Sequence, residues 1–314
     1  MFTRVAVPTP FQVGRVNAYL AEGTLVDPGP ASEEAWAALH AGLDEAGTRP
    51  EDLERVLVTH PHPDHFGLAS RLREAGARVV ASPTAATVMA DFAGHLHREQ
   101  EFFTEFFQRC GLSAETAETV TNLPEAFLSY APDVATDREL DAGDTLSVDG
   151  TTVTADAVDG HAPGELIFAY HDEGRRSAVV GDNVLGDITP NPLLRMPPDG
   201  GERPRILLAY NRSLERLREE GYDYFLPGHG DPIEDPTERI DEILAAHEER
   251  TERVRSLVDG PTTPADVMHG LFDDLPATEQ FSGMSEAVGH LDVLEERGEV
   301  TQRESGDLLV YEPA

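Results

Sequence analysis

Residues 59–65, with the sequence THPHPDH, carry the densest set of reactive side chains and follow a short apolar run. Four of these side chains can bind a metal ion. An extended chain directs residues i, i+2 and i+4 to one side, so we expect His60, His62 and Asp64 to converge there. The two prolines favour an extended backbone in the residues before them. His65 joins the group where the chain turns into a helix. The spacing predicts a metal site at the end of a buried strand.

Four further segments share one pattern, in which a short apolar run is followed by Gly or Pro and by a side chain that can bind metal. They contain Asp27 in LVDPG, His161 in DGHAPG, Asp182 in VVGD and His229 in LPGHG. Loops at the ends of sheet strands can bring such side chains to one place from distant parts of the sequence. Each residue alone is an ordinary turn residue, and their order along the chain is what indicates a common site.

Together, the five segments resemble the signature of the metallo-β-lactamase superfamily, over roughly residues 1–257. The resemblance implies ligands for two metal ions. The first set is His60, His62 and His161; the second is Asp64, His65 and His229, with Asp182 bridging the two. Imidazole and carboxylate ligands suit two Zn²⁺ ions, and Fe²⁺ or Mn²⁺ accept the same residue types. The resemblance also implies a metal-bridging hydroxide as the nucleophile, which Asp64 orients. Asp27 and Thr59 would steady the ligands from behind.

Apolar periodicity indicates a layered α/β fold, and the resemblance implies a four-layer αββα sandwich. Strands are predicted at 4–8, 13–20, 23–26, 55–58, 78–81, 145–148, 151–157, 165–170, 177–180 and 222–226. Helices are predicted at 32–46, 66–75, 205–219 and 236–258, and a helical stretch opens at 82–83. Ser32 and Asp235 are the expected N-caps of the first and last of these helices. A helical insertion is expected at about 95–123, and its phenylalanines, which share one face, are expected to form core.

A break at 259–261 separates a predicted catalytic domain, residues 1–258, from a small domain at 259–314. The small domain should contain helices at 264–271 and about 285–297 and a hairpin of 300–303 with 308–311. This order resembles a winged helix. The segment has 13 acidic residues against Arg297 and Arg303, whereas a nucleic-acid reader needs a basic face. We therefore expect it to pack against the chain or to form a homodimer.

The formal charge of the chain is −35, and all 24 basic residues are arginine. Molar salt screens such repulsion within about 3 Å. The composition therefore predicts a salt-adapted, halophilic protein, although a GC-rich genome would also replace Lys by Arg. The sequence has neither a long apolar segment nor a basic stretch followed by an apolar core, so we expect no membrane span and no signal peptide. The single Cys110 fits a reducing cytoplasm and is expected to pack in the core.

The substrate is the least determined feature, since an activated water can attack several kinds of bond. The resemblance leaves three interpretations open. The chain is an ester or thioester hydrolase similar to glyoxalase II, a phosphodiesterase or endoribonuclease similar to the β-lactamase-like protein 2 group, or a non-catalytic metal-binding module. The winged-helix-like tail favours the RNA-cleaving interpretation, whereas the negative charge favours a small ester or thioester substrate. Arg195, Arg203 and Arg205 are candidates for the substrate rim. His95 and His97 have metal-like spacing, but a helix sends i and i+2 to different faces.

Overall fold

The computed structural model describes residues 1–197 and 200–314, and backbone contacts divide the chain into two units. The first, called here the sheet unit, comprises Met1–Ala93, Phe127–Pro190 and Glu215–Ile240. The second, the helical unit, comprises Gly94–Ala126, Asn191–Leu214 and Asp241–Ala314. The predicted small domain lies wholly within the helical unit, together with the predicted insertion. The domain boundary at residue 258 stays a prediction.

The sheet unit contains a six-stranded sheet whose strands follow chain order. They are β1 (Thr3–Val7), β2 (Val16–Ala21), β3 (Thr24–Val26), β4 (Arg55–Leu57), β5 (Arg78–Ala81) and β6 (Arg138–Glu139). Strands β1 to β3 pair antiparallel and β3 to β6 pair parallel, so helices must return the chain between the parallel strands. These are α1 (Glu33–Glu45), α2 (Pro63–Phe66), α3 (Ala69–Glu74) and α4 (Pro83–Ala90). Leu39, Val56 and Leu72 belong to the buried core between this sheet and its helices.

A second sheet of the same unit has five strands in the spatial order β11-β10-β9-β8-β7. They are β7 (Thr145–Val148), β8 (Thr151–Ala157), β9 (Leu166–Asp172), β10 (Arg175–Gly181) and β11 (Tyr224–Pro227). Only the β10–β11 pair of this sheet is parallel. Leu57 of the first sheet shares one buried cluster with Phe168 and Leu226 of the second. The two sheets therefore pack face to face.

The outer face of the second sheet is covered as well. Ile167 and Phe225 are fully buried and, by strand alternation, point away from the cluster between the sheets. The end of helix α7 (Ile206–Glu220) that belongs to the sheet unit, from Glu215 on, lies on this face, where Arg216 donates to the Asp156 carboxylate and, at 2.7 Å, to the Ala157 carbonyl. The predicted layered sandwich of two sheets with helices outside is confirmed.

The helical unit contains further helices and a hairpin. They are α5 (Phe92–Arg109), α6 (Ala114–Asn122), α8 (Pro236–Leu257), α9 (Pro264–Leu271), α10 (Ala277–Glu296), β12 (Val300–Ser305) and β13 (Leu308–Pro313). The first residues of α5 and α8 belong to the sheet unit. Phe103, Phe107 and Cys110 of the α5 region are buried in one cluster with Met284 and Leu291. The expected core role of the phenylalanine face is confirmed for Phe103 and Phe107, whereas Phe102 and Phe106 are only partly buried against the same cluster. Burial raises the pKa of the Cys110 thiol to about 12. The C-terminal elements occur in the predicted order, while their assignment as a winged helix stays a prediction.

Several predicted element boundaries were wrong, and local chemistry explains the main one. The helix expected at 66–75 begins instead at Pro63, because proline suits the first helical position. The chain then continues as α2 and α3 around Gly67, where a Cβ atom would lie 2.2 Å from the Tyr130 carbonyl oxygen. Neither β6 nor the 3-10 segment Leu123–Tyr130 was predicted. Within the described residues, no helix is long and apolar enough to cross a membrane.

Candidate metal centre

Functional side chains of the sheet unit follow the carboxyl ends of strands. His60 follows β4, His161 follows β8, Asp182 follows β10 and His229 follows β11. Strands β8, β10 and β11 run in the same direction within the second sheet, so their carboxyl ends lie at one edge. Chain segments that are far apart in sequence therefore deliver their side chains to one place.

The loop after β4 differs from its predicted geometry. His62 is extended, with φ −85° and ψ 144°, and is the N-cap of α2. Asp64 and His65 lie in the first turn of that helix, and both are buried. The expectation that Asp64 continues an extended i, i+2, i+4 series was therefore wrong. Asp64 instead reaches the site from a helical turn that Pro63 starts.

The structure brings all seven predicted ligand side chains together. Three groups have ligand atoms within 4.8 Å of one another: His60, His62 and His161; His60, His65 and Asp182; and Asp64, His65 and His229. His60 and His65 are completely buried, while Asp64, Asp182 and His229 are at most 7% exposed. Histidine and aspartate in this arrangement can bind divalent metal ions.

Asp27 and Thr59 contact the histidines on the side away from the centre, as the resemblance implied. The Thr59 backbone N–H and hydroxyl donate to the Asp27 carboxylate at 2.8 and 2.6 Å. The same carboxylate accepts from His65 Nδ1 at 2.9 Å, and His60 Nδ1 lies 2.9 Å from the Thr59 hydroxyl oxygen. With Nδ1 engaged in this way, both rings direct Nε2 to the centre. Asp27 adopts a positive φ of 52°, a strained conformation that surrounding contacts must maintain.

Contacts that the sequence did not indicate hold the other ligands. His229 Nδ1 donates to the Arg15 carbonyl oxygen at 2.8 Å. The Asn183 amide donates to the Asp159 carbonyl at 3.2 Å and to Glu165 Oε2 at 3.0 Å. That amide ties the loop that carries His161 to the residue after Asp182. The Arg15 and Asp159 contacts use backbone carbonyls, which any residue type has, so the sequence could not indicate them. Glu165 directly precedes an apolar strand, and a charged residue at that position could have indicated a buried partner.

The charges of the site favour metal binding. Burial lowers the pKa of His60 well below its usual range and that of His62 to about 3, so both rings are neutral and can offer lone pairs. Burial would raise the pKa of Asp182, but His65 and His229 outweigh it and hold that pKa well below its ordinary value. Asp182 is therefore ionised. Burial would likewise lower the pKa of His229, but Asp182 and Asp64 raise it to about 9, which reflects the negative field that a cation would meet.

Buried ligand atoms that lack hydrogen-bond partners also indicate that these residues can bind a metal ion. His60 Nε2, His65 Nε2, His229 Nε2 and Asp182 Oδ1 are buried and have no hydrogen-bond partner among the described residues. A buried polar atom without a partner costs about 1–3 kcal/mol. In addition, His161 Nε2 and His62 Nδ1 face each other at 3.0 Å. A bound cation would satisfy these atoms at once.

Two glycines let the backbone approach this centre. A Cβ atom on Gly228 would lie 2.2 Å from Asp182 Oδ1 and 2.7 Å from His65 Cε1. Gly181 has φ +51°, and its Cβ would lie 2.8 Å from the Thr59 hydroxyl oxygen. Side chains at these positions would collide with the ligands Asp182 and His65 or with Thr59, which supports His60.

The predicted substrate-rim arginines belong to the helical unit. Arg203 donates to both Asp292 carboxylate oxygens at 2.7 and 2.8 Å, and Arg205 pairs with Glu295 at 2.6 Å. Arg203 and Arg205 thus have acidic partners within their own unit, and a role of the three arginines in substrate binding stays a prediction. His97 is exposed on α5 in the same unit, as its helical spacing predicted.

Comparison with known proteins agrees with this architecture. Residues 12–229 match the sequence model described as the Metallo-beta-lactamase superfamily. The chain is 30% identical over 311 residues to the probable metallo-hydrolase YqjP of Bacillus subtilis, covering 98% of this chain and 96% of that protein. It is 24% identical over 287 residues to the atrochrysone carboxyl ACP thioesterase of Aspergillus fumigatus, covering 86% of this chain and 72% of the thioesterase.

A solved structure has the same fold along the whole chain. The metallo-beta-lactamase family protein TTHA1429 from Thermus thermophilus superposes with a TM-score of 0.80 at 27% identity, covering 100% of this chain and 98% of that chain.

Proposed function

Since the chain belongs to the metallo-beta-lactamase superfamily and is a metal-dependent hydrolase, we propose that it hydrolyses a carboxylic ester or thioester at a site for two divalent metal ions. The overlap of the three ligand groups carries this proposal. The group of His60, His65 and Asp182 shares His60 with one of the other groups and His65 with the other. Seven ligands exceed the four of a closed tetrahedral site, so the side chains surround two adjacent positions.

The position of Asp182 supports a bridging role. Its Oδ1 lies 3.5 Å from His65 Nε2, while its Oδ2 lies 3.6 Å from His161 Nε2 and 3.4 Å from His229 Nε2. One carboxylate thus faces ligands of both proposed metal positions. We assign His60, His62 and His161 to the first position. Asp64, His65 and His229 form the second.

Metal ions held here would lower the pKa of a water molecule so that it becomes a nucleophile, and would polarise the substrate carbonyl. The chain's own residues would fix that water. Burial would raise the pKa of Asp64, but His65 and His229 lower it below its usual value, so its carboxylate is ionised and can accept a hydrogen bond from the water. Asp64 Oδ2 lies 3.3 Å from His229 Nε2. This position lets one residue bind metal and orient the nucleophile.

Two observations support an ester or thioester as the substrate. The thioesterase relative aligns along 86% of this chain, which makes a thioester the first choice. The formal charge of −35 also repels polyanions.

A phosphodiesterase or endoribonuclease is the alternative, and the two helices and hairpin at the C-terminus favour it. The basic residues of that segment weaken the alternative, however. Arg297 pairs with Glu248 and Arg303 with Glu312, so both guanidinium groups already have acidic partners. A non-catalytic module is the least favoured interpretation, because every ligand position is filled.

We further propose Zn²⁺ as the metal, with Fe²⁺ and Mn²⁺ as the alternatives that the same ligands accept. The acidic, lysine-free composition supports a salt-rich cytoplasm as the setting. A homodimer through the C-terminal segment also remains part of the proposal.

A substrate panel tests the proposed reaction. Metal-replete protein in high salt would be assayed with S-lactoylglutathione, a simple ester, bis-p-nitrophenyl phosphate and single-stranded RNA. We expect turnover of the thioester or the ester that is lost on chelation and restored by Zn²⁺. Cleavage of the phosphodiester or RNA without any ester or thioester turnover would replace the proposal with its alternative. No metal-dependent turnover of any of the four would contradict both.

A further inference from the structure

Strand β2 carries an amide side chain, Asn17, in a buried stretch whose other residues are aliphatic except for Tyr19. Asn17 is 3% exposed. Its side-chain amide donates to the Pro227 carbonyl oxygen at 3.0 Å and to the Gly230 carbonyl oxygen at 2.9 Å. Its backbone N–H donates to the Gly228 carbonyl oxygen at 2.7 Å. One residue of the first sheet therefore binds three carbonyls around His229, which follows the second sheet.

The neighbours of Asn17 hold the same loop. The Tyr19 hydroxyl, on a residue that is 1% exposed, donates to the Pro227 carbonyl at 2.7 Å. The Arg15 carbonyl accepts from His229 Nδ1 at 2.8 Å. Residues 15–19 thus fix both the backbone on either side of His229 and the rotation of its ring. An asparagine suits this task because its amide offers two N–H donors, whereas an ionised aspartate offers none.

The loop is confined from the opposite direction as well. The Gly228 backbone lies so close to Asp182 and His65 that there is no room for a Cβ atom, so the loop cannot move toward these residues. Beyond it, His229 Nε2 lies 3.3 Å from Asp64 Oδ2 and 3.4 Å from Asp182 Oδ2. A small movement of the loop away from β2 would therefore change the distances between these ligand atoms directly.

We propose that Asn17, assisted by Tyr19, is a positioning residue that holds His229 in the geometry required for the second metal position. This inference rests on the proposed function, because it takes His229 as a metal ligand. It concerns metal affinity rather than the chemical step. Residues that orient metal ligands typically change metal affinity by about 10–100-fold when they are replaced.

The test compares metal binding by the full-length parent and three variants. Asn17→Leu keeps a similar size but removes both amide donors, and Tyr19→Phe removes only the second donor to Pro227. Thr251→Val is the control, because it removes a buried hydrogen bond to His290 within the helical unit. Chelator competition with Zn²⁺ gives the affinity of each ion, and the absorption spectrum of Co²⁺-loaded protein reports ligand geometry. All proteins are compared at equal folded fraction in high salt.

We expect Asn17→Leu to weaken binding of the second ion by about 10–100-fold and that of the first by less than about threefold. Its Co²⁺ spectrum should also change. Tyr19→Phe should show a smaller change of the same kind, which decides the matter if Asn17→Leu does not fold. Thr251→Val should lower the melting temperature with both affinities unchanged.

Unchanged second-ion affinity in whichever of Asn17→Leu and Tyr19→Phe folds would overturn the inference while leaving the proposed function intact. Equal weakening of both ions would also overturn it, because that pattern indicates general loosening. A parent that binds no second ion would contradict the proposed function itself, and the inference with it.

Discussion

Replacing Gly228 with alanine should damage the metal centre although it adds only one methyl group. The new Cβ atom would lie 2.2 Å from Asp182 Oδ1 and 2.7 Å from His65 Cε1. Ordinary contacts between such atoms begin at about 3.4 Å, so the loop or the carboxylate must move by about 1 Å. Both neighbours are buried, and neither is the free end of a flexible surface side chain.

A displacement of this size exceeds what a metal site tolerates, since ligand distances vary by only about 0.2 Å. Misplacement of a reacting group by about 1 Å can cost about 100-fold in rate, which corresponds to about 3 kcal/mol. We therefore expect Gly228→Ala to lower kcat/KM at least about 100-fold and to lose the second metal ion. Gly228 does not have a positive φ, so the effect comes from the clash and not from backbone strain.

The matched control is Gly186→Ala, in the loop after Asp182. Its Cβ would meet nothing closer than the Asp231 carbonyl oxygen at 3.7 Å, and its φ is not positive. Each variant would be assayed for thioester or ester turnover, for metal content by elemental analysis, and for folded fraction by circular dichroism. Gly186→Ala should behave like the parent. If Gly228→Ala kept two ions and full turnover, the described geometry of the centre would be wrong.

Three further results are expected. Asp64→Asn should reduce turnover at least about 100-fold with loss of metal, whereas exposed His97→Ala should stay within a few-fold; full activity of the first or inactivity of the second would refute the site assignment. Burial lowers the pKa of His247 to about 4 from 6.5, so the unfolded chain binds more protons between these pH values. The free energy of unfolding should fall by up to about 3 kcal/mol as pH drops through this window, and His247→Gln should flatten urea-unfolding stability between pH 6.5 and 4; an unchanged slope would contradict this. The melting temperature should be several degrees higher in molar KCl than in dilute buffer, because salt screens the charge of −35; equal values would leave codon bias as the reason for the missing lysines.

The sequence was most informative where residue type alone limits the chemistry. His60, His62 and His65 lie within six residues, and imidazoles are ligands that divalent metal ions prefer. The two predicted helix N-caps are also confirmed. The Ser32 hydroxyl accepts a hydrogen bond from Ala35 N at 3.0 Å, and the Asp235 carboxylate accepts one from Glu238 N at 2.9 Å. Such local signals depend on neighbours in the chain, so they can be recognised without knowing the fold.

Long-range contacts were harder to predict. Asn17 and Pro227 are 210 residues apart in sequence, and neither segment contains a pattern that predicts contact with the other. A buried asparagine in an apolar strand was a usable signal, because buried polar groups need partners. The backbone of 63–66 was misjudged for a different reason. Proline disfavours helix before itself but readily begins one, and the second preference decided the conformation of Asp64.

We propose that two metal ions act together in ester or thioester hydrolysis by this protein. The most direct measurement titrates metal-free protein with Zn²⁺ in high salt while following thioester and ester hydrolysis. We expect turnover to rise until two equivalents per chain are bound and then to stay constant. Full turnover at one equivalent, or no turnover at any metal content, would contradict a two-metal hydrolase.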